Sequence, residues 1–341
     1  MKKSTLIVAF YLVPFFSMYA QLADTARIIV QDGYIEKMDD NIGINVLLNN
    51  RYETFFVDAE GADFSIYPNI STNLSVGFDY RFLSASIQFT PDFFPGNGDD
   101  DLRGKTKALS MGFSTLFRHW AVTARYAQVK GYYLQNTPDL DPTWQPGDPY
   151  VQAPDLRYRG GFVTVGYNFN PKVSLRAVTT FTERQLKSGG SFVLGSSIRY
   201  YYIDNKPTST TQRSSNWDVS VGPGYFYNFI VQEKFFAAIG GAGGAGFVHT
   251  TLHTPQNGQE YTTYQFNPAL RWEGRAAIGY NGRDFFAGLY ANLSGLYFNQ
   301  QGTTAMNRDL QAYYQFIVGI RLASPKWVKK QMKKLDEKIK L

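Results

Sequence analysis

"NLSVGFDYRFLSASIQFT" runs from Asn73 to Thr90 and alternates almost throughout. Leu74, Val76, Phe78 and Tyr80 are separated by Ser75, Gly77 and Asp79, and Leu83, Ala85, Ile87 and Phe89 by Ser84, Ser86 and Gln88. Successive strand side chains point to opposite faces, so each half reads as a strand with one apolar and one polar-or-small face. "YRFL" joins the halves tightly. The same period returns in "ALSMGFSTLF" from Ala108, in "WAVTARYA" from Trp120 and in "LQAYYQFIVGIRL" from Leu310 to Leu322. Most such runs exceed the usual strand of about 5–6 residues, and a tilted run of about 9–11 residues crosses a bilayer.

The connections alternate in length. Short ones fall near Arg81, near Arg118, and at 170–172, 231–234 and 281–284; long polar ones span 92–103, 135–156, 204–215, 252–262 and 299–308. Aromatic residues gather near the ends of runs, among them Trp120, Tyr158, Trp217, Trp272, Tyr280 and Tyr297. Short turns on one side, long loops on the other and two aromatic girdles are the pattern of an outer-membrane barrel. The expected fold is all-β: a transmembrane, antiparallel, up-and-down β-barrel of about 12 strands, or 14, because a single bacterial chain closes on an even number. Residues 173–203 disturb the count. They read as two strands, 173–182 and 191–202, joined by "ERQLKSGG", or as one strand beside an irregular, inward-folded segment.

Composition narrows the class. The 341 residues include no cysteine, which removes disulfides, thiolate zinc sites, thiol nucleophiles and a lipidated N-terminal cysteine. Apolar residues make up 44% and yet mean hydropathy is -0.29, so polar and apolar residues are interleaved. The exception is "MKKSTLIVAFYLVPFFSMYAQ", with Lys2 and Lys3, an apolar stretch and then small residues up to Ala20. That is the plan of a cleaved secretory signal. The expected organisation is a signal at 1–20, a periplasmic segment at 21–40, the barrel at 41–322 and a basic tail at 323–341 with a short C-terminal helix. In the tail, lysines cover one side while Trp327, Val328, Met332, Leu335 and Ile339 share a helical face. It suits either an anionic membrane surface or a solvated extension.

"IGGAGGAGF", from Ile239 to Phe247, spells G-x-G-x-x-G. A dinucleotide fingerprint needs a helix after its glycines. Here "FVHTTLHTPQNGQEYTTYQF" follows, with Pro255 and Asn257-Gly258, and no helix fits. Gly240, Gly241, Gly243, Gly244 and Gly246 are better read as close-packing glycines within a strand, where another element approaches. The inward segment around Leu186 is the expected neighbour.

Charge on the polar faces marks the expected lumen. Asp79, Arg81, Arg125, Arg176, Arg199, Asp218, Arg271, Glu273, Arg275 and Arg321 fall there, seven arginines to three acids. Charge facing lipid at mid-depth costs about 2–4 kcal/mol for Arg, so these residues belong inside. Two readings stay open: a lattice of Arg–carboxylate pairs filling the barrel, or a positive lumen that favours anions. His249 and His253 sit at the expected outer rim, as base and partner of a hydrolase or as exposed loop residues; no nucleophile motif accompanies them. His119 lies in a short turn beside Trp120 and reads as interfacial packing. Asp99, Asp100 and Asp101 lack EF-hand spacing, and no metal or cofactor is expected. The net charge of +6 resides largely in the tail, so nucleic acid is not an expected partner.

Four stretches carry a family resemblance: "DTARIIVQDGYIEKMDDNIGINVLLNNRYETF", "YPNISTNLSVGFDYRFLSASIQF", "RGKTKALSMGFSTLFRHWAVTARYAQVKGYYL" and "RQLKSGGSFVLG". They resemble the Bacteroidota proteins catalogued as domain of unknown function 4421, over about 24–322. The resemblance implies an exported outer-membrane barrel of a Gram-negative bacterium, with no known activity and no catalytic residues to carry over. The expected partners are outer-membrane lipids, the outer-membrane insertion machinery and a small solute, with the chain monomeric. The leading functional expectation is passage or binding of a small, anionic solute in an Arg-lined lumen. The alternatives are a non-conducting barrel that anchors or displays its 135–156 loop, and a hydrolase using His249 or His253.

Overall fold

Tyr80 faces Leu83 across the tight turn that the alternation predicts, and the same antiparallel ladder continues from strand to strand until it meets itself. The computed structural model describes residues 29–59, 62–117, 119–205, 212–256, 259–299 and 306–339. The expected signal at 1–20 lies outside the described residues.

The strands are β1 (Ile29–Gln31), β2 (Ile35–Lys37), β3 (Asn41–Asn49), β4 (Phe55–Ala59), β5 (Ala62–Tyr67), β6 (Asn73–Tyr80), β7 (Leu83–Phe89), β8 (Lys107–Phe117) and β9 (Trp120–Leu134). They continue as β10 (Gln152–Asn168), β11 (Glu183–Gln185), β12 (Gly189–Asp204), β13 (Arg213–Val231), β14 (Phe235–Gln256), β15 (Gln259–Asn281), β16 (Phe285–Asn299) and β17 (Met306–Ala323). Twelve of them close a ring: β3, β6 to β10 and β12 to β17. The seam joins the first barrel strand to the last, with Asn41 opposite Ala323 and Asn49 opposite Gln315. The hairpin β4–β5 is added at the long-loop end, where Ile66 pairs with Leu134 of β9.

Alternation becomes a wall with two faces. Each of the twelve strands turns apolar side chains outward, for example Ile44, Phe78, Ile87, Met111, Tyr126, Val163, Leu194, Val221, Ile239, Ile278, Leu289 and Phe316, all exposed. An apolar belt this complete suits hydrocarbon and would be unfavourable in water. Aromatic residues edge it: Trp120, Phe235 and Phe285 at the short-turn end, Tyr200, Trp217, Tyr264 and Phe266 at the other.

Two sequence expectations are corrected here. The 252–262 connection is not a loop: β14 and β15 stay paired out to Gln256 opposite Gln259. Thr250, Thr251, Thr254, Thr262 and Thr263 keep a β-branched, polar ribbon extended beyond the apolar belt. Residues 173–182 are not a strand either. Arg176–Val178 form one 3-10 turn, with Ala177 N–H donating to Ser174 Oγ at 2.9 Å. Val173, Ala177, Val178 and Phe181 are all buried, so the segment folds into the barrel instead of joining its wall.

After Pro325 the tail forms the helix Lys326–Ile339. Lys329 Nζ meets Asp40 Oδ1 at 3.0 Å, Met332 is buried and Trp327 is exposed.

Candidate functional site: an arginine-rich lumen between two constrictions

The short-turn end of the lumen is closed by a plug. β11 pairs with β2, and β2 with β1, in a small sheet separate from the wall. Asp32-Gly33 makes the β1–β2 turn, both residues at positive φ as an Asp-Gly turn allows. Phe181 also adopts positive φ, 56°, which is unusual for a bulky residue. Its ring stacks on Phe286 at 4.5 Å and lies 5.9 Å from Phe236, within a buried cluster that includes Val178, Ala277, Tyr290 and Ile317. Its carbonyl oxygen accepts from Arg321 Nε at 3.2 Å, and Arg321 also donates to Asn281 Oδ1 at 2.6 Å. Glu36 is buried between Arg184 and Arg283, the latter at 3.0 Å. Arg176 meets Glu183 at 3.2 Å, and Ser174 Oγ–H donates to the same carboxylate at 2.6 Å. Burial pushes the Arg176 guanidinium below its ordinary value, with Glu183 opposing, and pushes the nearby Asp39 carboxyl above its own.

Beyond the plug the lumen opens into a chamber. Ser86, Thr123 and Glu273 have inward strand parity and remain exposed. Gly77, Gly112 and Gly244 share inward parity with them, and the space over them is taken by the Asn45 side chain, Ser86 Oγ and the Val221 carbonyl. Asn45 Nδ2 donates to Asp79 Oδ2 at 2.6 Å, and Arg275 Nε to Asn292 Oδ1 at 3.1 Å.

A second constriction comes from the loop after β3. Asn73 Nδ2 donates to the Arg51 carbonyl at 2.8 Å, and Arg51 N–H donates to Asn49 Oδ1 at 3.0 Å. These bonds fold the loop inward. Glu53 then meets Arg125 Nη1 at 3.3 Å, while Arg125 Nε donates to Ser110 Oγ at 3.0 Å. The Arg51 guanidinium lies over the Tyr313 ring at 5.0 Å, and Arg199 over Phe162 at 5.4 Å. Asp218 pairs with Arg271 and lies 4.0 Å from Arg199. A cavity remains between Arg51, Glu53, Arg125, Tyr158, Phe162 and Arg199.

Asp79, Arg125, Arg199, Asp218, Arg271, Glu273, Arg275 and Arg321 thus all face inward. Two assignments are corrected. Arg81 occupies the β6–β7 turn at φ 52°, where its Nε donates to the Asp39 carbonyl at 3.2 Å, because β6 ends one residue earlier. Arg176 belongs to the plug and not to a strand face. Arg51 and Glu53 were not among the expected residues. Their signal is parity: Asn45, Asn49, Arg51 and Glu53 continue one face of β3 past its end.

The glycines of β14 divide between faces. A Cβ at Gly240 would fall 2.2 Å from the Phe226 ring, and one at Gly246 would fall 1.8 Å from the Val219 carbonyl oxygen. Gly244 approaches Val221 in the same way, whereas Gly243, on the lipid side, has open space and Gly241 meets only the Glu273 carbonyl. The element that approaches is therefore β13, not the segment around Leu186, whose N–H pairs with Tyr34. The histidines do not converge. His249 stacks on Tyr264 at 6.4 Å, and His253 Nδ1 lies 3.0 Å from Glu260, beside Arg213. His119 stacks on Tyr167 at 5.3 Å, with Nδ1 2.7 Å from the Asn168 carbonyl. Asp99 pairs with Arg103 at 2.5 Å. Among the described residues no group of three or more metal-ligating side chains occurs.

The family described as domain of unknown function (DUF4421) matches residues 24–321. No curated protein matches. Among solved structures, OmpT, an outer membrane protein of Vibrio cholerae, is similar at 9% identity and a TM-score of 0.33, covering 87% of this chain and 100% of that one. The outer membrane protease OmpT of Escherichia coli aligns at 8% identity and TM-score 0.34, with 83% and 96% coverage. LpxR of Salmonella typhimurium aligns at 7% and 0.31, with 82% and 99% coverage.

Proposed function

Since the chain belongs to the family described as domain of unknown function (DUF4421), which supplies no activity to transfer, we propose its function from the lumen itself. The protein is an outer-membrane barrel that holds a small polar solute in an internal chamber and passes it when the plug yields. The observation that carries this reading is the chamber: exposed inward Ser86, Thr123 and Glu273 lie between a plug at one end and the Arg51–Glu53 loop at the other. A barrel filled only for rigidity would bury such groups against partners. The apolar belt and its aromatic edges support an outer-membrane location, reached by export through the N-terminal signal. A wall closed on itself supports a monomer.

A second reading has its own observation. The outer segment after β9 is built, not slack: Trp144 lies 5.2 Å from Tyr150, and the Arg103 guanidinium lies over both Tyr133 and Tyr150. It suits a non-conducting barrel that displays this loop.

Single-channel recording of the refolded protein in a planar bilayer separates the two. Brief or small steps in the native protein, growing when the plug is loosened by Arg184→Ala, are expected of the chamber. Silence from both, with folding verified, would leave the display reading in its place.

A further inference from the structure

Resting on the reading of the chain as an outer-membrane barrel, we propose that the outside of the wall at the long-loop end, over β8, β9, β10 and β12, is a seat for the phosphate headgroup of a membrane lipid, gripped by Lys107 and Arg157 with Lys130 and Arg159 beside them.

Three observations carry this. First, the ladder sets cations side by side. Lys107 on β8 lies directly opposite Lys130 on β9, and Lys130 directly opposite Arg157 on β10. Neighbouring strands stand about 4.8 Å apart, and like charges directly opposite one another are unfavourable. An anion seated between these side chains offsets their repulsion. Second, the row faces out of the barrel at the rim of the apolar belt. Val129 and Tyr158, the neighbours in sequence, are buried on the inner side, so Lys130, Arg157 and Arg159 point outward. Lys107 shares its parity with the exposed Leu109. Tyr126 and Tyr200 are exposed just below the row, as tyrosines at headgroup level are. Third, a slot leads from the belt to the row. Gly161 stands on the same outward face, two residues from Arg159, and is paired with Tyr126 of β9 on one side and Tyr200 of β12 on the other. A Cβ at Gly161 would meet nothing within 4 Å. An acyl chain lying between the two tyrosines puts its phosphate about 7 Å higher, the length of two strand residues, at the cations.

The four cations differ in freedom. Lys130 Nζ meets Asp155 Oδ1 at 2.9 Å, and Arg159 Nη2 meets Asp204 Oδ2 at 3.4 Å while its guanidinium lies over the Tyr202 ring at 5.4 Å. Lys107 and Arg157 make no side-chain hydrogen bond or ion pair among the described residues, although Asp204 stands opposite Arg157 in the register. A guanidinium fork and an ammonium are the groups that phosphate oxygens take. β10 bulges between Ala153 and Arg157, and from that bulge Asp155 reaches back to Lys130. Asp155 is therefore the seat's internal competitor.

The test is native mass spectrometry of the full chain, folded in neutral detergent and titrated with phosphatidic acid. Diacylglycerol with the same chains is the control without phosphate, and inorganic phosphate the control without chains. A saturable adduct of one phosphatidic acid is expected, with both controls weaker. Arg157→Gln weakens it about tenfold, the scale of one hydrogen bond to a charged group. Gly161→Leu, which fills the slot, also weakens it. Asp155→Asn tightens it, and Lys329→Ala on the C-terminal helix leaves it unchanged. A general loss of structure cannot move Arg157→Gln and Asp155→Asn in opposite directions. Diacylglycerol bound as well as phosphatidic acid, or shifts of one sign for those two variants, would overturn the seat; in protein that still needs detergent to stay dispersed, the outer-membrane reading would stand. Inorganic phosphate bound as tightly as phosphatidic acid would overturn the lipid as occupant. A full chain that stays folded and dispersed in water without detergent would overturn the outer-membrane reading, and the seat with it.

Discussion

Arg184 on β11 pairs with Glu36 on β2, and its remaining nitrogens donate to the carbonyl oxygens of Asn281 at 2.9 Å and Glu233 at 2.8 Å. One guanidinium thus ties the plug strand, the N-terminal strand and two barrel turns. Both partners are almost fully buried, at 4% and 3% side-chain exposure. Breaking a buried pair from one side leaves a charge uncompensated and typically costs about 3–5 kcal/mol. Arg184→Met is expected to fall at the lower end, about 3 kcal/mol, because Arg283 still reaches Glu36. Denaturant unfolding in detergent measures the loss.

Phe181→Ala removes the ring that the plug inserts among Phe236, Phe286 and Ile317. Truncating a buried Phe costs about 3–5 kcal/mol. The expected result is a looser plug in an intact barrel: the far-ultraviolet strand signal is kept, while protease cleavage within 171–188 accelerates. Unchanged cleavage would mean that the plug is held by its ion pairs alone.

Ile87 and Ser86 are neighbours on β7 with opposite surroundings, one exposed on the apolar belt and the other in the chamber. Ile87→Arg is expected to cost about 2 kcal/mol or more, within the range for a lipid-facing Arg near mid-depth. Ser86→Arg is expected to leave stability within about 1 kcal/mol and to lower conductance instead. Unfolding free energies of the two variants, with their single-channel currents, check both halves.

Gly246 and Gly243 offer the same contrast on β14. Gly246→Val puts a side chain against the Val219 carbonyl oxygen, and overpacking of that kind costs about 1–3 kcal/mol or more. Gly243→Val enters open space on the lipid side and is expected to change stability by no more than about 0.5 kcal/mol. The fraction of folded barrel after refolding reports the difference.

The wall was legible because its physics is one-dimensional. Period-two alternation places Arg125, Asp218 and Arg271 inside and Phe78, Ile87 and Phe316 outside without knowledge of any neighbour. What was not legible depends on contacts between distant segments. Val173, Leu175 and Ala177 alternate as a strand would, but Val178 and Phe181 pack on the apolar floor made by Phe236, Phe286 and Ile317 and hold the segment inside. Arg176 was misplaced for that reason. Arg81 was misplaced by one residue, where a strand becomes a turn. Arg51 and Glu53 could have been found by continuing the parity of β3. The paired ribbon of β14 and β15 was hidden because, past the apolar belt, both its faces are polar.

The ladder between β17 and β3 also sets a clock. Until Ala323 lies opposite Asn41, the wall has two bare edges, each able to pair with another chain. The strand that heals them is β17, which follows every other strand of the ring in the chain. The wall therefore cannot be completed strand by strand from β3 onward: its ring closes in one step, when β17 reaches β3. The β2–β11 pairing shortens that final search, because it can draw the beginning of the chain to the end of the ring where the seam starts.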